Sequence, residues 1–225
     1  MKKYISWVLV LVLVLMMIPV TTTDALAVSN DLIEIDLVIT DDTTILVFVP
    51  SEYQSLISEQ EMIDIAIRDG LQDGEIITFY EVGETEIPES ISPFSLPTFV
   101  TTRSNFSSEW AAQNYFVISV AKGQTTTLIS KFTQTLIAGI TAGTPYSITA
   151  ELKATITAEH SITQQFVGPP ENGIHNTREF RVQFYAHNFN WTQEHYNMYG
   201  IHVGTRSGTG HEPTRWASYS IDRTI

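Results

Sequence analysis

Between Ser147 and Phe166 the chain alternates polar and apolar residues with little interruption. Ile148, Leu152, Ile156, Ile162 and Phe166 share the even positions with alanines, His160 and Gln164, while Thr149, Glu151, Lys153, Thr155, Thr157 and Glu159 hold the odd ones. Successive side chains of a strand point to opposite faces, so a period of two predicts a long strand with one apolar and one wet side. At about 3.3 Å per residue such a strand runs roughly 65 Å, several times the usual length. Its expected partner is Lys122 to Ala142, joined through Gly143-Thr144-Pro145-Tyr146, whose glycine and proline suit a turn. In that arm Leu128, Phe132, Leu136, Ala138 and Ile140 share one parity, and Ser130, Gln134, Ile129 and Ile137 blur it. Several of these apolar residues are also spaced by four, so a helical hairpin competes with the pair of strands. Thr125-Thr126-Thr127, Thr133, Thr135 and Thr141 favour strand, because β-branched side chains are stiff at χ1 and pack well on a pleated surface.

The N-terminal pattern is different. Leu32 to Ile39 and Thr44 to Val49 are β-branched runs around a turn at Asp41-Asp42-Thr43, with Pro50 ending the second. Ser58-Glu59-Gln60-Glu61 reads as a capping box, Ser58 being the N-cap and Glu61 reaching back to its amide. The helix it opens carries Met62, Ile63, Ile65, Ala66 and Ile67 and ends near Gly70 or Gly74. Glu75 to Val82 adds a third strand, giving a ββαβ unit. Beyond residue 109 the expected strands are Tyr115–Val120, Phe180–His187 and shorter ones at Trp191–Met198, Ile201–Thr205 and Trp216–Ile221. Turns are expected at Gly168-Pro169-Pro170 and Ser207-Gly208-Thr209-Gly210.

Charge divides the chain. Residues 28–95 hold 16 acids against one base, Arg68, whereas residues 96–225 hold 8 acids and 9 bases, within a net charge of −13. The acidic half would repel duplex phosphates, so nucleic acid is not an expected partner. Residues 87–108 are rich in Pro, Ser and Thr without sustained periodicity, which is linker composition. At the start, Lys2 and Lys3 precede the apolar run Trp7 to Val20, and Ala25-Leu26-Ala27 supplies a small-x-small cleavage site. That layout predicts a secretory signal peptide and a secreted, bacterial protein. With no cysteine, the chain must hold itself together by packing alone.

The expected architecture is therefore mainly β, α+β overall. Residues 1–27 form the signal peptide, 28–86 a small acidic α+β domain, 87–108 a linker, and 109–225 an elongated β-rich domain with a long amphipathic hairpin over 122–166. Catalytic chemistry is not signalled. Gly-x-Ser-x-Gly, His-Glu-x-x-His, P-loop and dinucleotide-binding motifs are all missing, and no thiol exists. His187, His195, His202 and His211 lie near Glu194 and Glu212, but their spacings of eight, seven and nine fit no zinc pattern. No enzyme activity, cofactor or metal is expected. Trp191 and Trp216 are candidates for a surface that stacks on sugars or sits at a membrane interface.

The threonine-rich amphipathic hairpin, Thr125–Ala142 with Tyr146–Phe166, resembles the insertion element of aerolysin-like β-barrel pore-forming toxins. The layout of signal peptide, acidic leader and neutral β half is similar to large unmodified bacteriocins of the geobacillin type secreted by Gram-positive bacilli. The first resemblance implies that the hairpin is stored against the body and that oligomers pool hairpins into a closed membrane barrel. It further implies that Leu128, Phe132, Leu136, Ile140, Ile148, Leu152, Ile156 and Ile162 face lipid. Thr149, Glu151, Lys153, Thr155, Thr157 and Glu159 would then face water. The expectation is a secreted antibacterial or cytolytic protein acting at a target-cell membrane or envelope as a homo-oligomer. The alternative is a non-lytic cell-envelope or carbohydrate-binding β protein.

Overall fold

The computed structural model describes residues 31–84, 99–140 and 155–224. The expected signal peptide, the Pro-rich first part of the linker and the turn of the hairpin lie outside them. The fold is mainly β, with one α-helix among the described residues. In chain order the elements are β1 (Leu32–Thr40), β2 (Thr43–Pro50), α1 (Glu59–Arg68), β3 (Ile76–Glu84), β4 (Phe99–Ser104), β5 (Trp110–Ala121) and β6 (Thr125–Thr127). They continue with β7 (Phe132–Ile137), β8 (Gly139–Ile140), β9 (Thr155–His160), β10 (Gln165–Val167), β11 (Thr177–Tyr196) and β12 (His202–Arg223).

The frame is the antiparallel pair β11 and β12, of 20 and 22 residues, paired from Thr177↔Arg223 to Tyr196↔His202 with register shifts at Tyr185/Ala186 and His195/Tyr196. The short strands expected at 191–198, 201–205 and 216–221 are thus parts of two continuous ones. The turn expected at Ser207-Gly208-Thr209-Gly210 is corrected: these residues lie within β12. Their glycines serve another purpose. Trp191 lies opposite Gly208 and Phe189 opposite Gly210, and a Cβ at either glycine would come within 2.6 Å of the facing ring. Trp216 uses Gly83 of β3 in the same way, at 2.3 Å. Aromatic rings laid over cross-strand glycines cover backbone that would otherwise be wet and pin the register.

Around this ribbon the sheet runs β1-β2-β3-β12-β11-β4, with β5 also on β11 and β8 also on β12. On one face lies α1. Ser58 caps it by accepting from the Glu61 amide at 3.3 Å, and Gly70 ends it at φ +65°. Met62, Ile65 and Ala66 pack on Leu37, Ile45, Val47, Val49, Ile77 and Phe79, and on Tyr185, Ala217, Tyr219 and Ile221 of the long strands. The acidic segment and the C-terminal segment therefore share one sheet and one core. This corrects the expected division into two domains at 87–108, and Phe99–Ser104 of that supposed linker is a sheet strand paired with β11. Charge asymmetry marks a surface here, while β3 pairs with β12 over Ile76↔Asp222 to Glu84↔Arg215.

One expected cap contact is also corrected. Glu61 does not reach back to the Ser58 amide; its carboxylate bonds Arg215 at 2.7 Å beneath the helix. Arg215 also holds Glu109 at 2.6 Å and lies over the Tyr185 ring, 4.0 Å from its centroid.

Candidate functional site

β5 and β11 are neighbours in the sheet, paired antiparallel up to Ala121↔Thr177, with Lys122 N–H donating to Asn176 O at 2.8 Å. Residues 123–175 are an insertion at the end of that ladder. Its described parts, 123–140 and 155–175, fold back over the sheet face opposite α1.

The insertion is itself a hairpin in a single register. Thr125↔Val167 to Thr127↔Gln165 form its lower ladder and Phe132↔His160 to Ile137↔Thr155 its upper one, with residues 128–131 and 161–164 matched in number between them. Toward the root the same register continues as Gly168 N–H to Gln124 O at 2.9 Å and Gly123 N–H to Pro169 O at 2.8 Å. The described arms hold 15 residues each, but the long unbroken strands expected for them are corrected: the ladders have three and six pairs, and residues 128–131 and 161–164 between them are bend and turn, with Gln164 N–H donating to Ser161 O at 3.3 Å. The regular elements of both arms are strands and none is helical, so strand rather than helix is their conformation over 125–127, 132–137, 139–140, 155–160 and 165–167.

The registers of body and hairpin meet at the root and do not match. The surplus is taken up by Pro170-Glu171-Asn172-Gly173-Ile174-His175 on the second arm. That loop turns the hairpin out of the sheet. Gly123 adopts φ +69°, and a Cβ on Gly168 would sit 2.1 Å from the Ala121 carbonyl oxygen, so the chains cross at backbone contact distance. His175, buried in the loop, donates Nε2–H to Gly74 O at 2.9 Å, tying the root to the loop before β3.

The hairpin's faces follow parity. Leu136, Ile156 and Ala158 are buried against Val182, Phe184, Ala186 and Trp216, with Phe132 half-buried beside them. Nearer the root Phe166, fully buried, meets Phe180 edge-on with centroids 4.9 Å apart, and Leu128 packs alongside. At the far end Ile140 covers Phe189 and Trp191, and β8 joins the sheet through Gly139↔His211 and Ile140↔Gly210. The outer face is polar. Thr155, Thr157 and Glu159 are exposed, Thr135 Oγ1 lies 2.9 Å from Thr157 Oγ1, and Lys131 pairs with Glu159 at 2.5 Å. Ile129 and Ile137, which blur the sequence pattern, point outward and are well exposed.

Of the expected lipid-facing residues, Leu128, Phe132, Leu136, Ile140 and Ile156 therefore lie on the inward face. Ile162 does not: it is 54% exposed in the turn between β9 and β10, outside either ladder. Ile148, Leu152, Thr149, Glu151 and Lys153 fall outside the described residues. The two tryptophans expected at the surface are corrected as well, since Trp191 and Trp216 are buried over their glycines. The root loop and its contacts left no sequence signal beyond the Gly-Pro-Pro turn.

The four C-terminal histidines are spread along the long ribbon. His187 pairs with Glu212, His195 stacks on Phe99, His202 meets Tyr196 edge-on, and His211 faces Gly139. Among the described residues no three potential metal ligands gather. The cleft between α1 and β5 collects Glu61, Asp64, Arg68, Glu109 and Arg215, and there Arg215 engages both glutamates. No described helix is long and apolar enough to cross a membrane.

Comparison with protein-family models, with curated proteins and with solved structures finds no match for the chain.

Proposed function

We propose that this protein is a secreted membrane-acting antibacterial or cytolytic protein whose hairpin, residues 123–169, is stored against the body and released into a target membrane. One observation carries the reading. An amphipathic ribbon with its own register is inserted between two paired strands and laid back, apolar side down, on the sheet that bears it. Swung out about the 170–175 loop, it would extend past the end of the β5–β11 ladder, and once the breaks at 128–131 and 161–164 are drawn out into strand its 15-residue arms would exceed the 9–11 residues that a strand needs to cross a bilayer.

Energetics fix when release is favourable. Burying a side chain such as Leu136, Ile156 or Phe166 is worth about 1.5–3 kcal/mol, so exposing all three to water costs several kcal/mol and the stored form wins in solution. Hydrocarbon restores that burial. A lone hairpin in lipid still leaves its outer N–H and C=O groups unpaired, at several kcal/mol each. Pairing with hairpins of other copies removes that cost, so the membrane form is a closed homo-oligomeric barrel. The carbohydrate-binding alternative loses its proposed stacking rings, because Trp191 and Trp216 are core residues.

The mature protein is expected to release a trapped dye from liposomes, and Leu136→Asp or Ile156→Asp, which put a charge on the face meant for lipid, to reduce release at least tenfold. A protein that binds liposomes without releasing dye at any protein-to-lipid ratio would contradict the proposal.

A further inference from the structure

Among the described residues of the stored hairpin, His160 does not suit its position. His160 lies on the inward face of β9 at 2% exposure, between the rings of Phe132 and Phe166 at centroid distances of 5.7 and 5.8 Å. Its Nδ1 is 2.9 Å from Gln164 Oε1. That oxygen can only accept, so Nδ1 carries the proton and Nε2 is bare. Nε2 is buried and has no hydrogen-bond partner. In the neutral ring this forfeits one acceptor contact, a smaller cost than burying an unpaired charge. A proton there would create a buried N–H with nothing to accept it, on a cation surrounded by aromatic rings.

Resting on the reading of residues 123–169 as a releasable hairpin, we infer that His160 is a proton-operated latch: neutral, it lets the apolar face lie on the sheet, and protonated, it drives the hairpin off.

No described charge offsets the cation. From the hairpin itself, Lys131 and Glu159 pair with each other on the outer face. From β5, Tyr115 donates its hydroxyl to Gln113. From β11 and β12, Arg178 is bonded to Asp222, and from β3, Tyr80 shares a hydrogen bond with Ser220. Burial accordingly pushes the His160 imidazole below its ordinary value, with the Gln164 bond opposing only in part. The sign follows from linkage. A histidine whose pKa is lowered in the stored form favours that form fully above its free value of about 6.5. It loses that preference as pH falls from there toward the lowered value, by up to tenfold per pH unit. An acidified target surface would then supply the trigger that a net charge of −13 does not supply by attraction.

The test is amide hydrogen exchange of the full mature protein in solution without lipid, from pH 7.5 to 5.0. Residues 132–137 and 155–160 are read relative to the β11–β12 amides of the same sample, which removes the intrinsic pH dependence of exchange. The hairpin amides are expected to lose protection progressively below about pH 6.5, approaching tenfold per unit. His160→Phe, neutral at every pH, should keep them protected throughout, and His160→Gln serves as a second neutral variant should the phenylalanine misfold. Protection that does not change in the wild type, or that falls equally in the neutral variants, overturns the latch. Liposome assays on the same samples separate the two ideas. Lost protection without dye release keeps the latch and refutes insertion; dye release without lost protection does the reverse.

Discussion

Gly139→Cys combined with His211→Cys should abolish dye release under oxidising conditions, and reduction should restore it to near the wild-type level. The two residues face each other where β8 joins β12, and antiparallel partners lie at Cα separations that a disulfide can bridge. Replacing His211 removes the ring that would stand 2.3 Å from a Cβ on residue 139. The chain has no other cysteine, so the bond can form at one place only. With it closed, the far end of the hairpin is tied to the sheet and cannot leave. An expected loss of at least a hundredfold follows, because release needs the whole inward face to separate. Equal dye release from the oxidised and reduced forms would show that the hairpin stays in place while the protein acts.

Arg215→Ala should cost about 3–5 kcal/mol of stability, the usual result of leaving a buried charge unpaired. Glu61 is 8% exposed and gives both carboxylate oxygens to the Arg215 guanidinium, which also bonds Glu109 and covers the Tyr185 ring. The residue joins α1, the start of β5 and the central strands. Arg215→Lys should recover only a fraction, since an ammonium cannot reproduce the fork. Urea unfolding measures the loss, and a change of less than about 1 kcal/mol would place the helix-to-sheet anchor elsewhere.

Much of this was legible along the chain, and the failures have identifiable causes. Ser58 three residues before Glu61 announced the helix start, and Gly70 its end. The alternation through Thr155–His160 fixed which side chains face inward, since a strand with one face on a core admits one parity. Ile137 looked like a break in the first arm, yet it is an outward residue of β7, whereas Ile129 does mark a break, the bend between β6 and β7. The long strands were obscured by Gly208 and Gly210. Glycine marks turns when read locally, and here it makes room for rings that sequence distance hides, Trp191 and Phe189. The domain boundary failed for a related reason. Charge reports what faces solvent, whereas Ile77 and Phe79 of the acidic segment are joined to Tyr219 and Ile221 by burial. His160 broke the apolar parity of its strand, but the alternation alone did not show that the ring is buried between Phe132 and Phe166.

The most direct measurement is a fluorescence scan of single cysteines at residues 155–160, each labelled with a polarity-sensitive dye and read with the protein bound to liposomes. Storage and insertion use the same face, so the account predicts an apolar environment at positions 156, 158 and 160 that responds to quenchers in the lipid tails, and a watery one at 155, 157 and 159. Six positions that read alike with and without liposomes, with no response to lipid-borne quencher, would contradict it.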